Sequence, residues 1–249
     1  MTGDPTAGAE DALLGGRVRI VQPPDGYRAA IDPVLLAAAT AAEPGERVLD
    51  VGAGTGAASL CLAVRAPACR IVGLEKHPEV AAYASHNIEL NGLQARAWVV
   101  VGDLLNPPLM VAPGSFDRVM MNPPYLKADA ATLPPDPWKA AANVEGEATL
   151  AHWIAFAATM LKMRGWLTLV HRADRVDEIL ALLHGRFGST TLFPLWPRAG
   201  EPAKRVLVSA QRGGKAPTTL AAGLVLHEAD GRFTAAAEAV LRDGAALTL

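Results

Sequence analysis

The sequence predicts an α/β fold: a doubly wound, mainly parallel seven-stranded sheet with an antiparallel hairpin at one edge. Three observations predict it. Short apolar runs of strand length alternate with helix-length stretches from Arg47 to Arg186, the pattern of successive βα units. Several of those runs end on a glycine or a polar residue, as strands do where they leave a buried parallel sheet. The last two runs, Thr190–Leu195 and Arg205–Ala210, follow one another with no helix between them, so they should pair antiparallel.

Taken in order, residues 1–15 carry Asp4, Glu10 and Asp11 with no basic start and are expected to be a flexible tail rather than a signal segment. Residues 16–249 are expected to form one domain, with a short strand–helix extension at its start and an appendage at its end. Arg17–Val21 alternates polar and apolar residues and reads as a strand. Asp32-Pro33 looks like a helix cap followed by proline, opening a helix to about Ala42 that Glu43-Pro44-Gly45 stops. Arg47–Val51 is a buried strand running into Gly52-Ala53-Gly54-Thr55-Gly56, followed by a helix of small residues to Arg65. Arg70–Glu75 is the next strand. Pro78–Leu90 is an amphipathic helix closed by Asn91-Gly92. Strands follow at Ala97–Val101 and Phe116–Met121. A proline-rich loop, Lys127 to Asn143, is long enough to be functional. A helix from Leu150 to Lys162, a strand Gly165–His171 and a helix Asp174–Arg186 complete the alternation.

Composition narrows the class. The chain has 249 residues, 51% of them apolar, which suits a buried core and argues against disorder. Its longest apolar run, Val34 to Ala42, is interrupted by Thr40 and is too short to span a bilayer. Cys61 and Cys69 are the only cysteines, and with no export signal they suggest a cytoplasmic setting. The six histidines show no metal-ligand spacing, and no metal is expected. Net charge is −2, but Met160 to Lys215 holds ten basic residues against four acidic ones, leaving −8 for the remainder. A basic face on an acidic protein suits a polyanionic partner.

In an open α/β sheet, ligands bind outside the carboxyl ends of the strands. Four strands carry distinct polar groups there: Asp50 with its glycine loop, Glu75, Asp103 and Asn122. Gly52, Gly54 and Ala57 fit a dinucleotide pattern, yet Asp50 directly before the loop would oppose a pyrophosphate. A ligand bearing a sulfonium and an ammonium suits that carboxylate better. Glu75, 25 residues after Asp50, can accept from two ribose hydroxyls, and Asp103 from an adenine amino group. Asn122-Pro123-Pro124-Tyr125 ends the fourth strand abruptly. Proline lacks an N–H, so this turn offers acceptors with few competing donors. The Asn122 side-chain oxygen and the Pro123 carbonyl can grip both hydrogens of a planar amino group, and Tyr125 can stack on the ring that bears it. Read alone, Asn-Pro-Pro is as well a plain turn.

These motifs, Asp50-Val51-Gly52-Ala53-Gly54-Thr55-Gly56, Glu75, Asp103 and Asn122-Pro123-Pro124-Tyr125, resemble those of class I S-adenosylmethionine-dependent methyltransferases, with a Rossmann-like fold. The Asn-Pro-Pro-Tyr version belongs there to enzymes that methylate amino nitrogens of adenine, guanine or glutamine amide. Gly26-Tyr27, Asp32-Pro33-Val34-Leu35-Leu36, Leu169-Val170-His171-Arg172, Pro194-Leu195-Trp196-Pro197-Arg198 and Gly223 to Glu228 are similar to the bacterial tRNA adenine-N6-methyltransferase family, which modifies the adenine beside a valine tRNA anticodon. The resemblance implies S-adenosylmethionine as cofactor. It would be held by Asp32, Asp50, Gly52, Gly54, Thr55, Gly56, Glu75, Asp103 and Asn122, with Asp32 near the methionine end. Asn122, Pro123, Pro124 and Tyr125 would be the catalytic turn, and Tyr27 would lie beside the substrate pocket. Trp138, Trp153 and Trp196 read mainly as packing, with Trp138 the exception because its loop follows the turn. Arg172 and Arg198 suit either phosphates or surface ion pairs.

The implied activity is methyl transfer to N6 of adenine in RNA, with tRNA as partner. The alternatives are a glutamine amide in a protein such as a release factor and a guanine amino group in ribosomal RNA. A binding module without turnover is disfavoured, because binding alone needs no acceptor turn beside a cofactor loop.

Overall fold

A computed structural model describes residues 8–24, 30–126 and 144–249. Strands β1 (Ala9–Leu13) and β2 (Val18–Gln22) form a separate antiparallel pair. The central sheet is built from β3 (Arg47–Val51), β4 (Arg70–Glu75), β5 (Ala97–Val101), β6 (Phe116–Met121), β7 (Leu161–Arg172), β8 (Phe187–Trp196) and β9 (Arg205–Arg212). Two two-residue strands, β10 (Thr219–Leu220) and β11 (Leu224–Val225), lie along β8. Across the sheet the order is β10-β8-β9-β7-β6-β3-β4-β5. The described sheet thus has nine strands: the expected seven plus these two short edge pieces. Only β9 runs antiparallel, between β7 and β8.

The strands read as near-continuous apolar runs because both faces are covered. Alternate residues divide between two cores. Val48, Ile71, Met120 and Val170 face the cluster that includes α1 (Asp32–Ala39), α2 (Ala57–Arg65) and α6 (Ala235–Leu241). Leu49, Val72, Val119, Met121 and Leu169 face the cluster of α4 (Leu150–Met160) and α5 (Val176–Leu183). Helix α2 presents Ala57, Ala58, Ser59, Cys61 and Ala63, all buried, which lets it lie close to the sheet. Helix α3 (Pro78–Leu90) begins with proline and stops at Gly92, whose φ of +67° suits glycine.

Some expected boundaries move. Residues 9–13 are not part of a loose tail: they pair with β2, and Leu14 behind them is buried. Helix α1 ends at Ala39, not Ala42, with the Thr40 hydroxyl donating back to the Leu36 carbonyl. Helix α4 gives way to strand at Leu161, because the edge of β6 recruits Leu161 opposite Phe116. The helix expected from Asp174 starts as a single 3-10 turn, Ala173–Arg175, and runs from Val176 to Leu183. The hairpin strands are longer than the apolar runs that announced them. Tyr27, Trp138 and the loop 127–143 lie outside the described residues. No helix among the described residues is long and apolar enough to cross a membrane.

Chain order reverses at β3, which has β4 on one side and β6 on the other. Register then sets what meets at that point. Val51 pairs with both Leu74 and Met121, so Gly52, Glu75 and Asn122 leave the sheet side by side. Glu75 pairs with Val101, which places Gly102 and Asp103 on the same edge.

Candidate active site

A cleft of about 620 Å³ opens at that edge. Its walls include Asp50, the glycine loop, Glu75, Asp103 and the whole turn Asn122 to Tyr125. Pro23 and Pro24 of the extension and Trp153 of α4 complete it. Among the described residues, the sequence-predicted cofactor and catalytic residues therefore all meet here except two. Gly56, the N-cap of α2, sits between the lining residues Thr55 and Ala57 without itself facing the cleft, and Asp32 is off the cleft although its neighbour Pro33 lines it.

The glycine loop is shaped by its backbone. Gly52, Gly54 and Gly56 have φ of +68°, +58° and +89°. Gly52 is also crowded: a Cβ there would stand 2.6 Å from the Trp153 ring. Gly52→Ala is expected to destabilise the chain by about 1–3 kcal/mol through strain and the displaced indole, and to weaken ligand binding in the cleft; thermal melts with and without ligand check it.

Glu75 organises the loop from below. Its Oε2 accepts from the Gly54 N–H at 2.9 Å and its Oε1 from the His77 N–H at 2.9 Å. Each carboxylate oxygen keeps lone-pair capacity for another donor. Asp50 is buried, and its Oδ2 accepts from the Ser59 hydroxyl at 2.7 Å. Burial pushes this carboxyl up to about 7; the Ser59 hydrogen bonds oppose that rise and the charge of Glu75 adds to it. Asp103 receives the Lys76 ammonium at 2.7 Å on Oδ2 and the Leu105 N–H at 2.9 Å on Oδ1. Despite some burial, these donors hold its carboxyl below the usual range.

Asn87 of α3 ties the extension to the loop. Its Oδ1 accepts from the Val21 N–H at 2.7 Å, while its Nδ2 donates to the Val21 and Thr55 carbonyls, both at 2.9 Å. Fully buried and fully used, it anchors β2 against Thr55.

The acceptor turn is arranged differently. Asn122 Oδ1 is buried with no hydrogen-bond partner. Such an acceptor costs about 1–3 kcal/mol unless a donor reaches it. Tyr125 donates its hydroxyl to Asp32 Oδ2 at 2.7 Å. Asp32 therefore does not cap α1: Ile31 holds the N-cap position, and the Asp32 carboxylate is engaged by Tyr125 and by Arg205 Nε at 3.3 Å. The Arg205 guanidinium lies over the Tyr125 ring at 4.4 Å, and His171 meets that ring edge-on at 5.4 Å. Behind them Arg175 pairs with Glu145 at 2.5 Å and with Glu178 at 2.8 Å.

Sequence reasoning missed Ser59, Lys76, Asn87 and Arg205 as parts of the site. A buried-helix serine or asparagine and a lysine after a strand-end glutamate carry no periodic signal; only the contacts reveal them. Arg172 and Arg198, offered as phosphate contacts or ion pairs, are paired to Asp174 and Glu201. Trp153 and Trp196 pack, Trp196 with its indole N–H on the Ala222 carbonyl.

The fold and the cleft together define a methyltransferase of Rossmann-like architecture. The family model of the TRM5/TYW2 methyltransferase domain matches residues 36–132. Relatives named tRNA1(Val) (adenine(37)-N6)-methyltransferase include one from Aeromonas hydrophila, 30% identical over 82% of this chain and 84% of its own length. Another, from Bacteroides thetaiotaomicron, is 31% identical over 72% of this chain and 74% of its own. The chain belongs to this family. It spans 61% of the length of a Porphyromonas gingivalis relative of the same name. Among solved structures, a predicted O-methyltransferase of Agrobacterium tumefaciens superposes with a TM-score of 0.72 at 30% identity, covering 87% of this chain and 98% of that one.

Proposed function

We propose that this chain methylates the N6 amino group of an adenine in tRNA, using S-adenosylmethionine held in the cleft. The observation that carries the reading is the buried, unpartnered Asn122 Oδ1 on the cleft wall beside the glycine loop. The residues present fit the cofactor. Glu75 has acceptor capacity for ribose hydroxyls, and Asp103 can share its oxygens with an adenine amino group. Asp50 offers a buried carboxylate to a cation, and the glycine loop leaves room for close approach. When bound there, the cofactor supplies a methyl group activated by a sulfonium.

The protein's work is placement. Asn122 Oδ1 and the Pro123 carbonyl each accept from one hydrogen of the amino group, which fixes the nitrogen. Tyr125 flanks the base, which must be turned out of the RNA stack to arrive. With the nitrogen held so, transfer of the sulfonium's methyl would break the sulfur–methyl bond and leave a neutral thioether, and the nitrogen's released proton would pass to water. His171, the imidazole against the Tyr125 ring, has no solvent exposure and is pushed down to about 4, mainly by burial and next by the Arg175 charge. It is neutral at working pH but sealed from water, which suits a structural part better than a proton carrier.

The deciding assay incubates the protein and labelled cofactor with total tRNA, ribosomal RNA and release factor in separate reactions, then identifies the methylated product. N6-methyladenosine in tRNA is expected. The release-factor arm matters because a glutamine methyltransferase of Haemophilus influenzae is 36% identical over 56% of this chain and 50% of its own length. Label only in glutamine or guanine would overturn the adenine assignment.

Cofactor affinity should depend on pH through Asp50. Its folded carboxyl sits at about 7, above the ordinary 3.8, so between those values the folded protein holds a proton that the unfolded chain has lost. That contribution to stability is present at the acid end and disappears as pH rises through about 7. A cation beside Asp50 favours its ionised form, so binding below pH 7 expels the proton. Affinity should climb by up to about tenfold per pH unit toward 7 and then level. Calorimetry at several pH values measures this, and Asp50→Asn should flatten the curve. An affinity that falls as pH rises would contradict the placement.

A further inference from the structure

Three groups from distant parts of the chain converge on Tyr125: Asp32 on α1, His171 at the end of β7 and Arg205 at the start of β9. Asp32 Oδ2 accepts from the Tyr125 hydroxyl at 2.7 Å and from Arg205 Nε at 3.3 Å. Arg205 also stands 4.4 Å above the ring centre, and His171 abuts the ring at an interplanar angle of 78°. Asp32 and Arg205 are partly buried and His171 fully so. The Pro124 carbonyl acts on the His171 ring without reaching full hydrogen-bond geometry, and neither ring nitrogen has a full partner.

Each contact restrains a different motion. The hydroxyl bond to Asp32 fixes the tip of the ring and resists swinging. The guanidinium occupies one face, worth about 0.5–2 kcal/mol depending on exposure. The imidazole blocks rotation at the edge and backs the Pro124 peptide. A side chain with so many restraints is a wall, not a moving flap. Because Tyr125 follows Pro124 directly, fixing it also restrains the peptide that carries the Pro123 carbonyl and, next to it, the residue that carries Asn122 Oδ1.

We propose that Asp32, Arg205 and His171 are positioning residues that lock Tyr125 and, through it, the acceptor turn, and that Asp32 acts through Tyr125 and not through the cofactor. Arg205 covers one face of the ring. This rests on the proposed function for its catalytic consequence, but the lock itself does not.

Two measurements test it. The first is kinetic: Tyr125→Phe, Asp32→Asn and the double variant are compared for kcat and for cofactor affinity. Each single change should lower kcat about tenfold, as loss of a hydrogen bond to a charged group does, with cofactor affinity unchanged. The double variant should be no slower than the slower single one. Additive losses, or a drop in cofactor affinity with Asp32→Asn, would overturn the proposal. The second needs no acceptor: with ring-labelled tyrosine, the Tyr125 resonances should shift in Asp32→Asn and again in Arg205→Met, with Arg205→Lys partly restoring them. Resonances that ignore these changes would sink the lock. If Asp32→Asn does not fold, Arg205→Met and Arg205→Lys carry both measurements. If the wild-type chain methylates none of the acceptors, the function is wrong, and the spectra still decide the lock.

Discussion

Replacing Asn122 with alanine is expected to lower methyl transfer by at least about a hundredfold while cofactor affinity stays within about twofold. The expectation follows from what each group does. Asn122 Oδ1 is buried on the cleft wall and unpartnered, so it contributes little to the fold that alanine would remove. Deleting it relieves an orphan acceptor, and the protein should melt no lower than wild type. What is lost is one of the two acceptors that hold the amino nitrogen, and a nitrogen free to rotate spends little time in line for attack. Single-turnover rates with tRNA, beside equilibrium binding of the cofactor, separate the two effects. A large fall in cofactor affinity would mean that Asn122 belongs to the cofactor's half of the cleft.

The second large effect falls on Glu75. Glu75→Gln should weaken cofactor binding by about a hundredfold or more and also lower the melting temperature. Both carboxylate oxygens accept from backbone N–H groups, Gly54 on one side and His77 on the other. Glutamine turns one oxygen into an NH₂ that faces a donor. One backbone N–H is then left unpaired in a buried place, at a cost of about 1–3 kcal/mol. The loop shifts, and an acceptor for the ribose disappears with it. The contrast with Asn122→Ala is the point: one variant should bind and not react, the other should fail to bind. Isothermal titration of both variants, with melting curves alongside, gives the comparison. Unchanged affinity in Glu75→Gln would show that the ribose lies elsewhere.

Most of the architecture was legible in the chain because its signals are local. Strands β3, β4, β5 and β6 and helices α2 and α3 were read with the bounds they have, since each is a continuous apolar or periodic run closed by glycine, proline or asparagine. Their polar ends also announced the cleft, because parallel strands bring their carboxyl ends to one edge whatever the register. What the chain did not disclose depends on distant partners. Ala9–Leu13 mixes acid and alanine and has no strand pattern; it becomes a strand only because β2 offers it an edge. Asp32 before Pro33 has the local look of a helix cap, but Tyr125 and Arg205, more than ninety residues away, claim its carboxylate. Asn87 looks like one polar position on an amphipathic helix, and its role appears only with the Val21 and Thr55 backbones beside it.

The position of β9 in the sheet has a consequence for how the polypeptide comes together. Residues 205–212 lie between β7 and β8, although both of those are made earlier. Until β9 leaves the ribosome, β7 ends the growing sheet with an open row of backbone donors and acceptors, and β8 has nothing to join. The Arg205 that covers Tyr125 arrives on that same late strand. Chains halted before about residue 205 would thus display a sticky, unfinished border and lack part of the support for the acceptor turn. Full-length chains close the border and complete that support in one event.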